Sequence, residues 1–155
     1  MEEENNRSVR FMELIDDYEK LSYEDFKEIK YDQQYPDSIL YIGNISQIFD
    51  LDKSEFPNYE NLIDLIQKWN RRGDIENIGA AQWSLYYSYM LDVLSENDLS
   101  VKDTIDIKFH IDALEKTKDR LMKNFGKLDI RLGDIQRLVR GCLLYTSPSP
   151  RDPNR

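Results

Sequence analysis

The sequence predicts an all-α protein, because apolar residues recur at helical spacing along most of the chain. Phe11, Leu14 and Ile15 follow the i, i+3, i+4 pattern that places side chains on one helix face, and residues 62–69 repeat it. No long stretch alternates with the period of two that is typical of a half-buried strand. We therefore expect one helical unit of about six helices in residues 1–141 of the 155-residue chain.

Capping and helix-breaking residues predict where the helices of the first half begin and end. Ser22 followed by Asp25 is a capping-box pattern, which predicts the start of the second helix. Pro36 ends that helix and predicts another that runs through Phe49. Pro57 marks the next break, before the second apolar stripe.

The second half of the chain predicts two long helices. Residues 78–94 carry apolar side chains on more than one helix face, which indicates a central, enclosed helix. Ser100 and Asp103 repeat the capping pattern and predict that a further helix begins there. We expect that helix to end near Asn124, because Gly126 follows it.

Charge and cysteine content exclude several kinds of partner and site. The formal net charge is −9, so phosphate backbones are repelled and we expect no nucleic acid partner. No apolar stretch approaches the roughly 18 residues that a spanning helix needs, so we expect no membrane contact. The one cysteine, Cys142, excludes an internal disulfide and a zinc–thiolate site.

Two patterns that suggest a metal ion or a catalytic base have simpler interpretations. Residues 50–61 have the ligand spacing of an EF-hand calcium loop, but Glu55 replaces its glycine and Asn61 its bidentate glutamate. A loop between helices is the better interpretation. His110, the sole histidine, lies among apolar residues on a predicted helix. We expect a partly buried structural residue, since a triad or a metal site needs partners.

Three tyrosines on the predicted central helix admit two interpretations. Tyr86, Tyr87 and Tyr89 could line a pocket for an acyl chain. An aromatic stripe at helical spacing is more often part of the core, and we expect that role here.

Four segments of the chain resemble a known enzyme family. Residues 125–141 read FGKLDIRLGDIQRLVRG, close to the pattern FGxLDxxxGDxxRLxRG in the large subunit of penicillin-acylase-type amide hydrolases. Residues 21–32 resemble the family's LSxEDFxxIKYD stretch, residues 65–74 its LLxxWDxRxD element, and residues 6–15 a helix that an arginine opens. These segments follow the family's order, so the chain is similar to penicillin acylases and acyl-homoserine lactone acylases.

The resemblance implies an amide hydrolase of the N-terminal-nucleophile class, with an αββα fold to which helices are added. An N-terminal serine attacks the amide with its own α-amine as base, and an oxyanion hole that includes an asparagine stabilises the intermediate. No residue here matches that serine or that asparagine. The family's arginine near the active site corresponds to Arg7, and Arg10 is the weaker alternative for that position. The structural interpretation of Arg7 is a surface arginine at the start of a helix. No metal and no cofactor are implied.

Two positions depart from the family pattern. Asn70 stands where the family usually has aspartate after the tryptophan. Arg131 and Leu132 replace a frequent Pro-Trp pair before Gly133. These changes concern packing more than chemistry, and they indicate a divergent member.

The resemblance also implies that residues 1–141 are an internal helical segment of a larger enzyme. Residues 142–155 resemble a translated sequencing adapter rather than a continuation of the enzyme. The expected partners are the remainder of the large and small subunits and a small N-acyl amide, such as a β-lactam side-chain amide or an acyl-homoserine lactone. We expect this chain alone to be inactive, and the parent enzyme to be periplasmic or secreted.

A self-contained acidic helical interaction domain is the alternative from a different functional class. Such a domain holds a partner helix in an apolar groove between its own helices. It should be a stable monomer without unusual exposed apolar surface, whereas a segment of a larger enzyme should expose apolar stripes. A calcium-responsive helical protein is a third alternative, which depends on the 50–61 loop alone.

Overall fold

The computed structural model describes residues 5–16 and 18–136, and within them every regular element is a helix. The six α-helices are α1 (Asn6–Ile15), α2 (Tyr23–Tyr31), α3 (Glu60–Gln67), α4 (Ala80–Glu96), α5 (Ile107–Phe125) and α6 (Leu132–Ile135). Two 3₁₀ helices, Gly43–Phe49 and Lys53–Glu55, lie between α2 and α3. The predicted all-α class with about six helices is confirmed. The adapter-like tail and the end of the 125–141 motif lie outside the described residues.

Helix α4 is the centre of the core, as its apolar pattern predicts. Trp83, Tyr86 and Met90 are buried along it, and α5 forms the most extensive helix contact with it. Leu114 and Leu121 of α5 are buried in the same cluster. A helix that is apolar on several faces needs neighbours on each of them, and α3, α5 and α6 all pack against α4.

Two predicted helix ends are confirmed by their cap geometry. The Ser22 hydroxyl accepts a hydrogen bond from the Asp25 backbone N–H at 3.2 Å, and the Asp25 carboxylate accepts one from the Ser22 N–H at 2.9 Å. This reciprocal pair satisfies two backbone donors that a helix start leaves without partners. Gly126 ends α5 in the left-handed conformation, with φ of 69°.

The predicted helix from Pro36 through Phe49 is wrong in its first half. Regular helix begins only at Gly43, and it is of the 3₁₀ type. Tyr41 has a positive φ angle of 67°, which the interior of a right-handed helix does not accommodate, and Gly43 at the start of the 3₁₀ helix has a φ of 45°. The Asn44 amide donates to the carbonyl of Asp103 at 2.9 Å, so this segment is bound to the approach to α5.

The predicted helix start at Ser100 is also wrong. The Asp103 carboxylate does accept hydrogen bonds from the Ser100 N–H at 2.7 Å and from its hydroxyl at 2.9 Å, but they close an isolated turn. The helix begins at Ile107, where the Asp106 carboxylate accepts from the Lys108 N–H at 3.0 Å. Serine and aspartate side chains satisfy turns as well as helix starts, so the pattern alone does not distinguish the two.

The close approach of Gly43 to Val101 predicts a stability difference between two glycine variants. A Cβ at Gly43 would lie 2.1 Å from the Val101 carbonyl oxygen, whereas one at Gly126 would meet nothing within 4 Å. Both glycines have positive φ. We expect Gly43→Ala to lower the free energy of unfolding by about 3 kcal/mol, from strain plus a steric clash.

Gly126→Ala should lower the free energy of unfolding by about 1 kcal/mol, because only the cost of placing alanine in the left-handed conformation applies at this position. Urea unfolding monitored by tryptophan fluorescence measures both variants. Equal losses in the two variants would show that the contact with Val101 does not constrain the chain.

Candidate functional site

A cleft of about 550 Å³ lies between α1 and α2. Its apolar lining comes from both helices and from the segment after α2: Phe11, Leu14, Phe26, Ile29, Tyr35 and Pro36. Its polar lining includes the side chains of Arg7, Arg10, Lys30 and Asp32. Two of the segments that carry the family resemblance, residues 6–15 and 21–32, therefore face each other across one cleft.

Arg7 lies in the first turn of α1, beside this cleft. The Asn5 carboxamide caps the helix by accepting from the Arg7 N–H at 3.0 Å. The guanidinium donates from Nη2 to the Lys30 carbonyl oxygen at 2.9 Å. An arginine has five N–H donors, and no other described residue accepts a hydrogen bond from this guanidinium. Arg7 forms no ion pair with any described carboxylate, and its role in catalysis stays a prediction.

Arg10, the weaker sequence candidate, has a different environment. Its Nε donates to the Asp32 carboxylate at 2.8 Å, and its Nη1 donates to Glu13 at 3.1 Å. The hydrogen bond with Asp32 is the main cause that raises the pKa of Arg10. The charge of Arg10 is thus compensated within the fold, which suits a structural role.

Asp32 was not recognised as a site residue from the sequence. It is separated from Arg10 by 22 residues, and no periodicity links the two positions. Its one signal in the sequence is its place at the end of the 21–32 segment of the resemblance, directly after Tyr31. Tertiary packing of α1 on α2 creates the pair.

The described lining of the cleft can bind and orient a polar group. Among the described residues, no serine, cysteine or histidine lines it, and the one carboxylate there, Asp32, is bound to Arg10. Arg7 and Lys30 supply positive charge that no described carboxylate neutralises. The Lys30 ammonium lies 5.5 Å from the Tyr31 ring centroid. This combination of cationic and apolar lining favours a ligand with a carbonyl or anionic end and an apolar body.

His110 is completely buried, whereas the sequence predicted partial burial. It is 1% exposed, and its Nδ1 lies 2.6 Å from the Tyr86 hydroxyl. Its Nε2 has no hydrogen-bond partner. Burial lowers the pKa of His110, because a charged imidazolium would be poorly solvated between α4 and α5. His110 is distant from the cleft lining and acts as a core residue.

The tyrosines of α4 belong to the core rather than to the cleft. Tyr86 is fully buried, and Tyr87 and Tyr89 are partly buried against the core. Burial raises the pKa of Tyr86 above its ordinary value. The Tyr87 hydroxyl donates to the Tyr41 carbonyl at 3.0 Å. None of the three lines the cleft between α1 and α2.

The 50–61 segment connects helices. The Asp52 carboxylate accepts from the Ser54 N–H at 3.0 Å and caps the second 3₁₀ helix. Lys53 forms an ion pair with Asp64 of α3, which also pairs with Lys68 at 2.7 Å.

Among the described residues, no group of three or more histidine, cysteine, aspartate or glutamate side chains is arranged to hold a metal ion. None of the described helices combines the length and apolar character needed to cross a bilayer.

The two departures from the family pattern have local structural roles. The Asn70 side-chain oxygen accepts from the Arg72 N–H at 3.1 Å and from the Asn77 amide at 2.7 Å. Asn70 therefore joins the turn after α3 to the turn before α4. Arg131 forms an ion pair with Glu76 at 2.7 Å, and Leu132 is buried.

Comparison of the chain with protein-family models, with curated proteins and with solved structures finds no match.

The burial of His110 predicts that acid destabilises the fold. The folded pKa is below the unfolded value of about 6.5, so the stabilisation is complete above that pH. As the pH falls below about 6.5, the unfolded chain binds a proton that the folded chain does not. We expect the wild type to lose unfolding free energy relative to His110→Phe as the pH falls from about 7 to about 5, by at most about 2 kcal/mol, the limit that the unfolded pKa sets.

Urea unfolding of both proteins across this pH range measures that difference and cancels the carboxylates that they share. A constant difference would show that the proton uptake of His110 is the same in the folded and unfolded chains.

Proposed function

We propose that this chain is a helical segment of the large subunit of a penicillin-acylase-like amide hydrolase, which cleaves linear N-acyl amides. The observation that carries the proposal is the position of Arg7, the residue that the resemblance assigns to the active site. It lies beside a cleft built by two of the matching segments, and its guanidinium has no carboxylate partner among the described residues. An arginine that serves only as a surface residue would not need to lie beside a cleft or to be left without a carboxylate partner.

The role of Arg7 follows from its free donors. Its guanidinium is anchored at one end by the Lys30 carbonyl, which limits its rotamers. The remaining N–H groups can donate to an amide carbonyl oxygen or orient an asparagine side chain of the oxyanion hole. Such donors accelerate amide cleavage only if they are held in place before the reaction. The nucleophilic serine and the asparagine would come from residues outside the printed sequence, in a periplasmic or secreted parent.

The apolar surface of α1 and α2 supports an extensive partner. Helix α1 has no buried residue, and Met12, Tyr23 and Phe26 are 55%, 77% and 47% exposed. By contrast, α3, α4 and α5 each bury several side chains in the core. Contiguous exposed apolar surface typically marks an interaction site. In the proposed enzyme, the remainder of the acylase subunits covers it.

A self-contained interaction domain is the second candidate, and the same cleft favours it. Phe11 and Phe26 line an open groove between two helices, which could hold a partner helix. The two candidates predict different coding sequence on either side of this reading frame. Only the acylase proposal predicts an amidase activity that depends on Arg7.

Sequencing of the gene across both ends of this reading frame is the direct test. We expect an upstream in-frame region with a Gly-Ser processing junction, and authentic coding sequence in place of the segment from Cys142 onward. A true start at Met1 with the Cys142 tail retained would overturn the acylase proposal and leave the interaction domain.

We expect the 155-residue chain by itself to give no burst of acylation with a chromogenic N-acyl amide. A measurable burst would contradict the proposal, because no N-terminal serine nucleophile is available in it.

In the enzyme expressed from the full reading frame, Arg7→Ala should lower kcat/KM by about 100-fold, the typical effect of losing one oxyanion donor. Arg7→Lys should recover only part of the loss, because an ammonium lacks the planar donor geometry of a guanidinium. Arg120→Ala, at an exposed arginine on α5, is the control and should have full activity. An equal effect of Arg7→Ala and Arg120→Ala would remove Arg7 from the active site.

A further inference from the structure

Helix α1 lies outside the apolar core and makes several polar contacts with the rest of the protein. None of its residues is buried, and none belongs to the core cluster. A helix of 10 residues is unstable by itself in water, so its contacts with the rest of the chain must hold it folded. Detachment of α1 would therefore also unfold it.

Two groups of polar contacts, one centred on Arg10 and one at Asn6, make up what we call the α1 latch. Arg10 binds Asp32 at the end of α2, at 2.8 Å. Arg10 also binds Glu13, whose second oxygen accepts from the Asp37 backbone N–H at 3.1 Å. The Asn6 side chain accepts from the Leu40 backbone N–H at 2.6 Å. The latch joins α1 to both α2 and the segment that follows it.

Arg10 is the central member of the latch. Its guanidinium contacts one carboxylate on another element and one on its own helix, and both contacts are charge-assisted. Such bonds are roughly twice as strong as neutral hydrogen bonds. The three side chains are 19–29% exposed, so water screens them only in part. Removal of Arg10 would leave Asp32 and Glu13 as two partly buried carboxylates without their shared cation.

We propose that Arg10 is a positioning residue, which docks α1 through Asp32 and Glu13 and thereby holds Arg7 beside the cleft. Docking of α1 does not depend on the proposed function. The effect of this docking on amide hydrolysis rests on the proposed function, because Arg7 contacts a substrate only in the proposed enzyme. Loss of the latch releases Arg7 and opens the cleft, while the core around α4 remains folded.

Hydrogen exchange of the 155-residue chain, read by mass spectrometry, tests the docking. Arg10→Met should make the amides of residues 6–15 exchange at least about fivefold faster, the change expected for a loss of one strong contact. Peptides from α4 should exchange at the wild-type rate. Unchanged exchange in residues 6–15, or equal acceleration in α4, would overturn the proposal.

Four further proteins make the interpretation specific. Asp32→Asn should accelerate exchange in α1, and the double variant Arg10→Met/Asp32→Asn should be no faster than the faster single variant, because the two side chains share one contact. Arg10→Lys should lie between wild type and Arg10→Met, since lysine cannot bind both carboxylates in the same way. Lys27→Gln, which removes an ion pair within α2, is the matched control and should leave α1 unchanged.

Activity of the full-length enzyme tests the link to Arg7. Arg10→Met should lower kcat/KM, and the double variant Arg7→Ala/Arg10→Met should be no worse than Arg7→Ala. If Arg10→Met accelerates exchange in α1 but leaves kcat/KM normal, Arg10 docks α1 but does not position Arg7 for catalysis, and the positioning role is overturned. If no amidase activity exists in the wild-type enzyme, the proposed function fails while the exchange result still decides the docking.

Discussion

The packing of Trp83 is the constraint on which the rest of the structure depends. Its ring lies 5.7 Å from Trp69 and 4.9 Å from Phe49, measured between ring centroids. Trp69 follows α3, Phe49 ends the first 3₁₀ helix, and Trp83 belongs to α4, so one side chain joins three segments. Buried aromatic rings contribute large apolar areas and restrict geometry, and α3 and α4 are thereby fixed relative to each other.

The protein is held together by two different kinds of interaction. The core around α4 depends on apolar burial, with Ile45, Ile66 and Leu121 completely inaccessible to solvent. The α1–α2 unit depends on hydrogen bonds and ion pairs, which are individually weaker and respond to pH and salt. Candidate site residues on a separately held unit can move without unfolding of the core. This arrangement suits a surface that a larger partner completes.

The cleft is lined by cationic side chains, although the net charge of the chain is strongly negative. Arg7 and Lys30 lie on it, while the formal charge of the whole chain is −9. Local electrostatics at a binding surface depend on the arrangement of charges rather than on their sum. Composition predicts that phosphate backbones are repelled overall, and it contains no indication of a cationic cleft.

Much of the fold could be predicted because its signals are local. Helical periodicity, the Ser22 cap and the Gly126 stop depend on residues within one turn of each other, and all three are confirmed. The predicted helices at Pro36 and Ser100 were wrong for a physical reason. The conformation of Gly43 depends on its approach to Val101, a residue that is distant in sequence.

The candidate site shows the same division. The sequence by itself determined the apolar helical face at Phe11, Leu14 and Ile15 and the start of α2 after Ser22, since caps and periodicity act within each element. Only the tertiary structure decided that these helices share a cleft, that Asp32 compensates Arg10, and that no described carboxylate pairs with Arg7. Such pairings depend on how helices pack, and no pattern within a single helix encodes the neighbour it meets.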